Sequence, residues 1–187
     1  MDIKRQPDDN IFIIDNVITN ELCDKIIEQI EITKKVRCDL SDPINNVICE
    51  AMDVAHIKDE KIRNKIDFEI YKVIDTMIKL LSWYGIPCSG DSGYILRKIT
   101  GPTRIHIDGT AIDPVRPSIN FRVMSIIIAL NDDYEGGEFL FVQHKRKIKL
   151  KKGQLIGFPS SWTHPHGTNP LKNGTVRYTV TTWITHQ

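Results

Sequence analysis

The chain has 187 residues, a formal net charge of +1 and 41% hydrophobic residues, a balance that suits a single globular domain with a hydrophobic core. No apolar run approaches the ~20 residues of a membrane-spanning helix, and the first residues lack the apolar segment of a secretion signal. We therefore expect one domain over residues 1–187, with residues 1–9 flexible, in a cytoplasmic protein that does not associate with membranes.

Cysteine usage agrees with a reducing compartment. The four cysteines are far apart and show no CxxC spacing, which favours reduced thiols in the core over a disulfide framework or a zinc site. They are Cys23, Cys38, Cys49 and Cys88.

The first half of the chain predicts helices. A short strand from Ile11 to Asp15 precedes a helix that Thr19 or Asn20 can cap and that continues to Ile30 with apolar residues at helical spacing. Residues 37–50 are expected to be irregular, with a breaker at Asp42-Pro43. A long amphipathic helix is predicted over residues 57–83, and the following Gly85-Ile86-Pro87 ends it.

From about residue 92 the hydrophobic pattern changes to that of strands. Strands are predicted over Tyr94–Ile99, Arg104–Asp108 and the apolar run Val123–Leu130, and glycine turns separate further short strands. Helices followed by strands at hairpin spacing indicate an α+β fold, in which a helical layer supports a β-sandwich or jelly-roll barrel.

One motif in the second half carries chemistry. His106 and Asp108 are two apart and would share a face of an extended strand, so that a later histidine could complete a set of two imidazoles and one carboxylate. That ligand set is typical of non-haem Fe(II) with open positions for a cosubstrate and oxygen. Such a pair also arises by chance on a surface strand, but the preceding Gly-Pro turn, the later histidines and Arg177 together favour a metal site.

The stretch from Tyr94 to Trp183 resembles the prolyl 4-hydroxylase-like group of 2-oxoglutarate and Fe(II)-dependent dioxygenases. Residues 13–18 and 21–23 are also similar to the family's N-terminal strand and helix, and the resemblance is weakest between residues 37 and 90. It implies a double-stranded β-helix (jelly-roll) core. The matching segments are residues 104–109, 130–139, 157–160 and 166–170, leading to Arg177-Tyr178.

The resemblance implies that His106, Asp108 and a distal histidine bind the iron. Counting forward from Phe158-Pro159 favours His164 as the distal ligand. Counting back from Pro170 and Arg177 favours His166, which we choose. His164 would then be a residue of the pocket wall.

Arg177 is implied as the residue that binds the distal carboxylate of 2-oxoglutarate, since a guanidinium is a planar, permanently charged fork of donors. Its alternative is a cross-strand ion pair. Many relatives add a tyrosine where this chain has Ile126 to Ala129. Tyr94 is the candidate replacement for that tyrosine, with packing in the core as its alternative, and Thr181 is a weaker candidate.

The implied activity is hydroxylation of an unactivated C–H bond, of a prolyl residue in a peptide or protein, with O2 consumed and with succinate and CO2 as co-products. Ascorbate is an expected auxiliary reductant. The alternative is a nucleic-acid demethylase of the same superfamily, in which the basic segment Lys145–Lys152 would bind the nucleic acid. However, Ile148 and Leu150 alternate with lysines in that segment, as on a strand with one face in water. A non-catalytic metal-binding β-barrel module is a third possibility. The loop from Gly109 to Asn120 is predicted to be a mobile lid.

Overall fold

The protein structure is a computed structural model that describes residues 3–5, 9–37, 49–112 and 119–186. Several predictions concern residues outside these ranges: the breaker at Asp42-Pro43, the position of Cys38, the middle of the predicted lid and most of residues 1–9. Of the other cysteines, Cys23 and Cys49 are buried and Cys88 is partly buried, and none of these three forms a disulfide.

Within the described residues the chain forms two α-helices, one short 3-10 helix (Val54–His56) and fifteen strands. The helices are α1 (Asn20–Ile32) and α2 (Glu60–Trp83). The strands are β1 (Ile3–Arg5), β2 (Phe12–Ile14), β3 (Val36–Arg37), β4 (Cys49–Asp53), β5 (Gly90–Asp91), β6 (Ile95–Ile99), β7 (Thr110–Ile112), β8 (Ile119–Ala129), β9 (Glu135–Gly136), β10 (Phe139–Phe141), β11 (Arg146–Ile148), β12 (Leu155–Pro159), β13 (His166–Thr168), β14 (Leu171–Lys172) and β15 (Arg177–His186).

Both predicted helices are present. Thr19 caps α1, where its hydroxyl accepts a hydrogen bond from the Leu22 amide at 3.2 Å. The second helix begins at Glu60 rather than at residue 57, because the 3-10 turn occupies the preceding residues and Asp59 supplies the cap. No helix in the described part of the chain is both long and apolar enough to span a membrane.

Two antiparallel sheets form the jelly-roll core. The larger sheet has the order β1-β2-β12-β8-β15-β6-β4-β3, with β5 added to β15 and β7 to β8. The smaller sheet has the order β11-β10-β13. One face of the larger sheet packs against α1 and α2, and its other face packs against the smaller sheet. This arrangement is the α+β fold that the order of elements predicts.

Alternation along the strands decides which side chains reach each face. On β8, Ile126 and Ile128 pack on the helical side, whereas Ile127 and Ala129 pack towards the smaller sheet. The same alternation puts Tyr94 and Leu96 in the helix-side core. The space between the two sheets is where the candidate site lies.

Two strand and loop predictions need correction. Residues 104–108 do not form a regular strand, since only His106 makes a β-bridge there. The predicted lid is structured at its ends, because β7 pairs with the start of β8 in a hairpin that joins Thr110 to Phe121 and Ile112 to Ile119. Residues 113–118 of that loop lie outside the described ranges.

Candidate metal centre

Three potential ligand atoms, one each from His106, Asp108 and His166, lie within 4.8 Å of one another. Nε2 of His106 is 3.4 Å from Oδ1 of Asp108, and Nε2 of His166 is 3.7 Å from Oδ2. Over the part of the chain that the structure describes, this is the only group of three His, Cys, Asp or Glu side chains that meets this spacing. The predicted trio is therefore brought together in space.

The backbone positions the two histidines directly. His106 and His166 exchange both backbone hydrogen bonds at 2.9 Å, and the Thr168 amide donates to the Thr103 carbonyl at 3.0 Å. Gly167 permits this close approach, because a Cβ there would lie 2.7 Å from the Thr103 carbonyl oxygen. Residues 103–106 thus lie against β13, and one bridge replaces the strand that sequence reasoning expected.

Each imidazole is oriented by its other ring nitrogen. Nδ1 of His106 lies 2.9 Å from the Arg104 carbonyl, and Nδ1 of His166 lies 3.0 Å from the His164 carbonyl. A carbonyl only accepts hydrogen bonds, so Nδ1 carries the proton in the neutral ring and Nε2 offers its lone pair. This is the arrangement in which histidines bind metals in proteins.

Asp108 is held as a carboxylate. Burial opposes its charge, but hydrogen bonds from His106 and Ser125 and the field of His166 hold its pKa well below the usual range. The Ser125 hydroxyl donates to Oδ2 at 2.5 Å and also lies 2.8 Å from the Ser160 hydroxyl. Sequence reasoning missed both serines; the signal was a lone serine within the apolar run of β8.

His164 lies outside the trio. Its Nε2 is 2.7 Å from the Asp9 carbonyl, its Nδ1 is 2.8 Å from the Thr163 hydroxyl, and its ring stacks on His144 at 4.4 Å. Burial lowers its pKa. Both ring nitrogens therefore have protein partners, whereas His166 presents its Nε2 to Asp108.

Arg177 is 3% exposed and carries a charge that no acidic side chain of the described residues pairs with. One terminal nitrogen donates to the Gly137 carbonyl at 2.5 Å, the guanidinium lies 5.0 Å from the Phe139 ring centroid, and Nε has no hydrogen-bond partner. No carboxylate of the described residues lies within 4 Å, which leaves the ion-pair alternative without a partner there. Burial lowers its pKa, although a guanidinium stays charged in proteins.

The Gly136-Gly137 turn positions the carbonyl that Arg177 binds. Both glycines adopt positive φ angles, and a Cβ on Gly136 would lie 2.2 Å from the Pro170 carbonyl oxygen. The turn therefore requires glycine at this point.

A single cavity joins Arg177 to the metal-binding trio. Thr181, the weaker candidate, lines it, but Tyr94 does not. Tyr94 instead borders a separate pocket with Asp67 and Tyr71 on the helical side, so the structure does not bring it to the site. Other residues that line the cavity, which sequence reasoning missed, are Cys49, Arg97, Ile99, Thr103, Ile127, Phe139, Thr168, Thr179 and Trp183.

These side chains fit the implied iron and 2-oxoglutarate. Two neutral Nε2 atoms and one ionised carboxylate are the donor set of non-haem Fe(II) sites. A buried guanidinium with an unsatisfied Nε requires an anion to offset its desolvation, and a carboxylate matches its planar fork.

Comparisons with known proteins agree with this site. The family model of the 2OG-Fe(II) oxygenase superfamily matches residues 95–185. Prolyl 3-hydroxylase 2 of Rattus norvegicus is 37% identical over 93 residues, which are 43% of this chain and 13% of that protein. The chain thus spans only a small part of the length of the curated relatives it matches.

Two solved structures show the same fold. The viral collagen prolyl hydroxylase from Paramecium Bursaria Chlorella virus-1, solved as a 2OG complex, gives a TM-score of 0.65 at 18% identity, with 95% of this chain and 97% of that chain covered. A prolyl hydroxylase from Trichoplax adhaerens, solved with a hypoxia inducible factor peptide, gives a TM-score of 0.70 at 16% identity, with 95% and 84% covered.

Proposed function

We propose that this chain is a 2OG-Fe(II) oxygenase of the prolyl 4-hydroxylase-like group and that it hydroxylates a prolyl residue of a peptide or protein. The observation that carries the proposal is the joining of two features in one cavity. These are the metal-binding trio and the buried guanidinium of Arg177, which has no carboxylate partner among the described residues. The prolyl substrate is supported by the prolyl hydroxylases among the relatives and fold neighbours.

The chain's own residues would bind and orient the reactants. His106 and His166 offer Nε2, Asp108 offers an ionised oxygen, and Arg177 binds the distal carboxylate of 2-oxoglutarate. Fe(II) with 2-oxoglutarate and O2 supplies the oxidative chemistry, with succinate and CO2 as co-products.

Apolar side chains exclude water around the trio. The rings of Phe141 and Phe158 pack against His166, with centroids at 5.9 Å and 4.5 Å. A dry surrounding strengthens the electrostatic interactions within the site and limits side reactions. It also restricts the rotation of the His166 ring.

The test is a turnover screen with Fe(II), 2-oxoglutarate, ascorbate and a panel of proline-containing peptides. We expect peptide-dependent succinate and a mass increase of one oxygen located on proline. His166→Ala should abolish both, and His56→Ala, at an exposed histidine remote from the site, should change neither. Succinate formation by His166→Ala at the wild-type rate would contradict the ligand assignment.

A non-catalytic module would behave differently. Anaerobic addition of 2-oxoglutarate to the Fe(II)-loaded protein should produce a metal-to-ligand absorption band if the cosubstrate binds. The band should weaken in Arg177→Gln. Absence of the band in the wild-type protein would favour the module, and its presence without turnover of any peptide would point to a different substrate.

The basic segment gives little support to a nucleic-acid substrate. Ile148 and Leu150 are buried, as expected for a strand with one solvated face. Four of its six cations are engaged by the protein itself. Arg146 pairs with Asp9, Lys147 with Glu138 at 3.3 Å and Lys152 with Asp24 at 2.5 Å, and Lys149 donates to the Tyr134 carbonyl.

A cytoplasmic location remains part of the proposal. It is supported by the three described cysteines, which form no disulfide. Fractionation of cells that express the full chain, with detection in the soluble cytosolic fraction, would test it.

A further inference from the structure

A second arginine of the cavity also has no acidic partner within the part of the chain that the structure describes. Arg97 lies on β6 directly opposite Thr179 of β15, and it lines the cavity together with the metal-binding trio. Its Nε is buried without a hydrogen-bond partner, and no carboxylate of the described residues lies within 4 Å of its guanidinium. Arg97 is half-buried, and a buried N–H without a partner costs free energy that a hydrogen-bonding ligand would recover.

The guanidinium of Arg97 lies beside Trp183, which lines the same cavity. Its central carbon is 5.7 Å from the ring centroid of Trp183, and that of Arg122 is 3.8 Å from the same ring. Trp183 follows Arg177 by six residues on β15, a separation of roughly 20 Å along a strand. Arg97 and Arg122 therefore converge on one indole ring of the cavity wall, whereas Arg177 donates to the Gly137 carbonyl.

The charge balance of the loaded site leaves these arginines unmatched. Asp108 is the only carboxylate among the described residues that line the cavity. The two positive charges of Fe(II) are matched by the two carboxylates of 2-oxoglutarate. The negative charge of Asp108 then offsets one of the three guanidinium charges of Arg97, Arg122 and Arg177, and two positive charges remain. Among the described residues, the one hydrogen bond of the Arg122 guanidinium goes to the Asp108 backbone carbonyl, at 3.4 Å.

We propose that Arg97, with Arg122 on the same indole ring, binds a carboxylate of the substrate and so determines which prolyl residues are accepted. The inference rests on the proposed hydroxylase function and deepens it. The carboxylate is either an acidic side chain near the target proline or the C-terminal carboxylate of the substrate. Guanidinium groups that stack on an aromatic ring keep their N–H edges available for such a ligand.

The probe is a set of fluorescein-labelled peptides that contain one proline. A glutamate occupies each position from three before to three after the proline in turn, and a matched peptide has glutamine there. A second pair ends directly after the proline, with a carboxylate or an amide terminus. Binding is measured by anisotropy on the anaerobic protein loaded with Fe(II) and 2-oxoglutarate, and succinate is measured separately in air.

We expect at least one carboxylate peptide to bind about tenfold more tightly than its amide partner, equivalent to ~1.4 kcal/mol. Arg97→Gln should remove this preference and Arg97→Lys should retain part of it, because lysine keeps the charge without the fork. Lys98→Gln is the matched control. It removes a positive charge from the neighbouring residue of β6, whose Nζ pairs with Glu31 at 3.0 Å and which does not line the cavity.

Three results would overturn the proposed carboxylate subsite. They are equal binding of every carboxylate and amide pair, no binding of any acidic probe, and an unchanged preference in Arg97→Gln. A preference confined to the second pair supports it and identifies the source as a C-terminal carboxylate. If the preference is present and depends on Arg97 while no peptide yields succinate, the subsite is supported and prolyl hydroxylation is refuted. The Fe(II)–2-oxoglutarate absorption of each variant checks that its loaded site is intact.

Discussion

Replacing Gly167 with alanine should impair metal binding without touching any metal ligand. Gly167 follows the ligand His166 on β13, and its backbone lies against residues 103–105. The added Cβ would lie 2.7 Å from the Thr103 carbonyl oxygen and 3.0 Å from the Arg104 carbonyl oxygen. Both atoms belong to the backbone, so a change of rotamer cannot relieve the contact.

The size of the required shift follows from these distances. Ordinary van der Waals contact for a Cβ begins at 3.4 Å, so the Thr103 carbonyl has to move by about 0.7 Å. His106 is three residues further along and is held by the same bridge to β13, so its Nε2 moves as well. Metal–ligand distances tolerate only ~0.2 Å, and we expect metal affinity to fall by about 10- to 100-fold, as when the support of a ligand is lost.

Calorimetric titration with Co(II), an air-stable substitute for Fe(II), measures this effect. Gly157→Ala is the matched control, because a Cβ there makes only ordinary contacts, at 3.6 Å from Met124 and Met77 on the helical side. The control should bind Co(II) like the wild-type protein. Wild-type affinity in Gly167→Ala would refute the argument that the close approach at this glycine positions His106.

Three further predictions concern the ligands and the cosubstrate. Arg177→Gln should raise the KM for 2-oxoglutarate at least tenfold, because it removes a charge-assisted hydrogen bond of roughly 1.5–3 kcal/mol. The Co(II) affinity should stay unchanged. An unchanged KM would contradict the role of Arg177. Ser125→Ala removes the hydroxyl that donates to Asp108 and should weaken Co(II) binding by about tenfold. Ser89→Ala is the control, because the Ser89 hydroxyl donates to the Thr185 carbonyl. This control should leave the calorimetric Co(II) affinity unchanged. Burial opposes protonation of His106, but its hydrogen bonds to Asp108 and to the Arg104 carbonyl, together with the negative charge of Asp108, outweigh burial and raise its pKa above the ordinary 6.5. The metal-free protein therefore holds that proton to higher pH, and Co(II) affinity should fall about tenfold per pH unit below the raised pKa; a flat affinity between pH 5 and pH 8 would count against it.

Sequence reasoning anticipated the helices well because their signals are local. The cap at Thr19, the apolar spacing of α1 and the glycine after α2 act within one or two helical turns. The start of α2 was displaced by three residues, since the 3-10 turn before it is stabilised by Asp53, whose carboxylate accepts from the Ala55 amide at 2.7 Å.

Contacts between distant segments were harder to anticipate. The segment that carries His106 and Asp108 is not a strand, and its conformation depends on hydrogen bonds to β13, about sixty residues later in the chain. The support of Asp108 by Ser125 and the location of Arg97 beside Trp183 likewise depend on sheet register. Register is a property of strand pairing, and no single segment encodes it.

The sequence by itself determined the residue types of the candidate site: spacing predicts a metal site of two imidazoles and one carboxylate, and the resemblance to 2-oxoglutarate dioxygenases implies the guanidinium of Arg177. Only the tertiary structure decided between His164 and His166, because both histidines suit the spacing and differ in their ring partners. It also separated Tyr94 from the cavity: Tyr94, directly before β6, packs in the helical core with Leu96, whereas Arg97 on the alternate face lines the site. Which side of a sheet a residue occupies depends on how the strands pair and pack, and that is decided only when the two sheets and the helices come together.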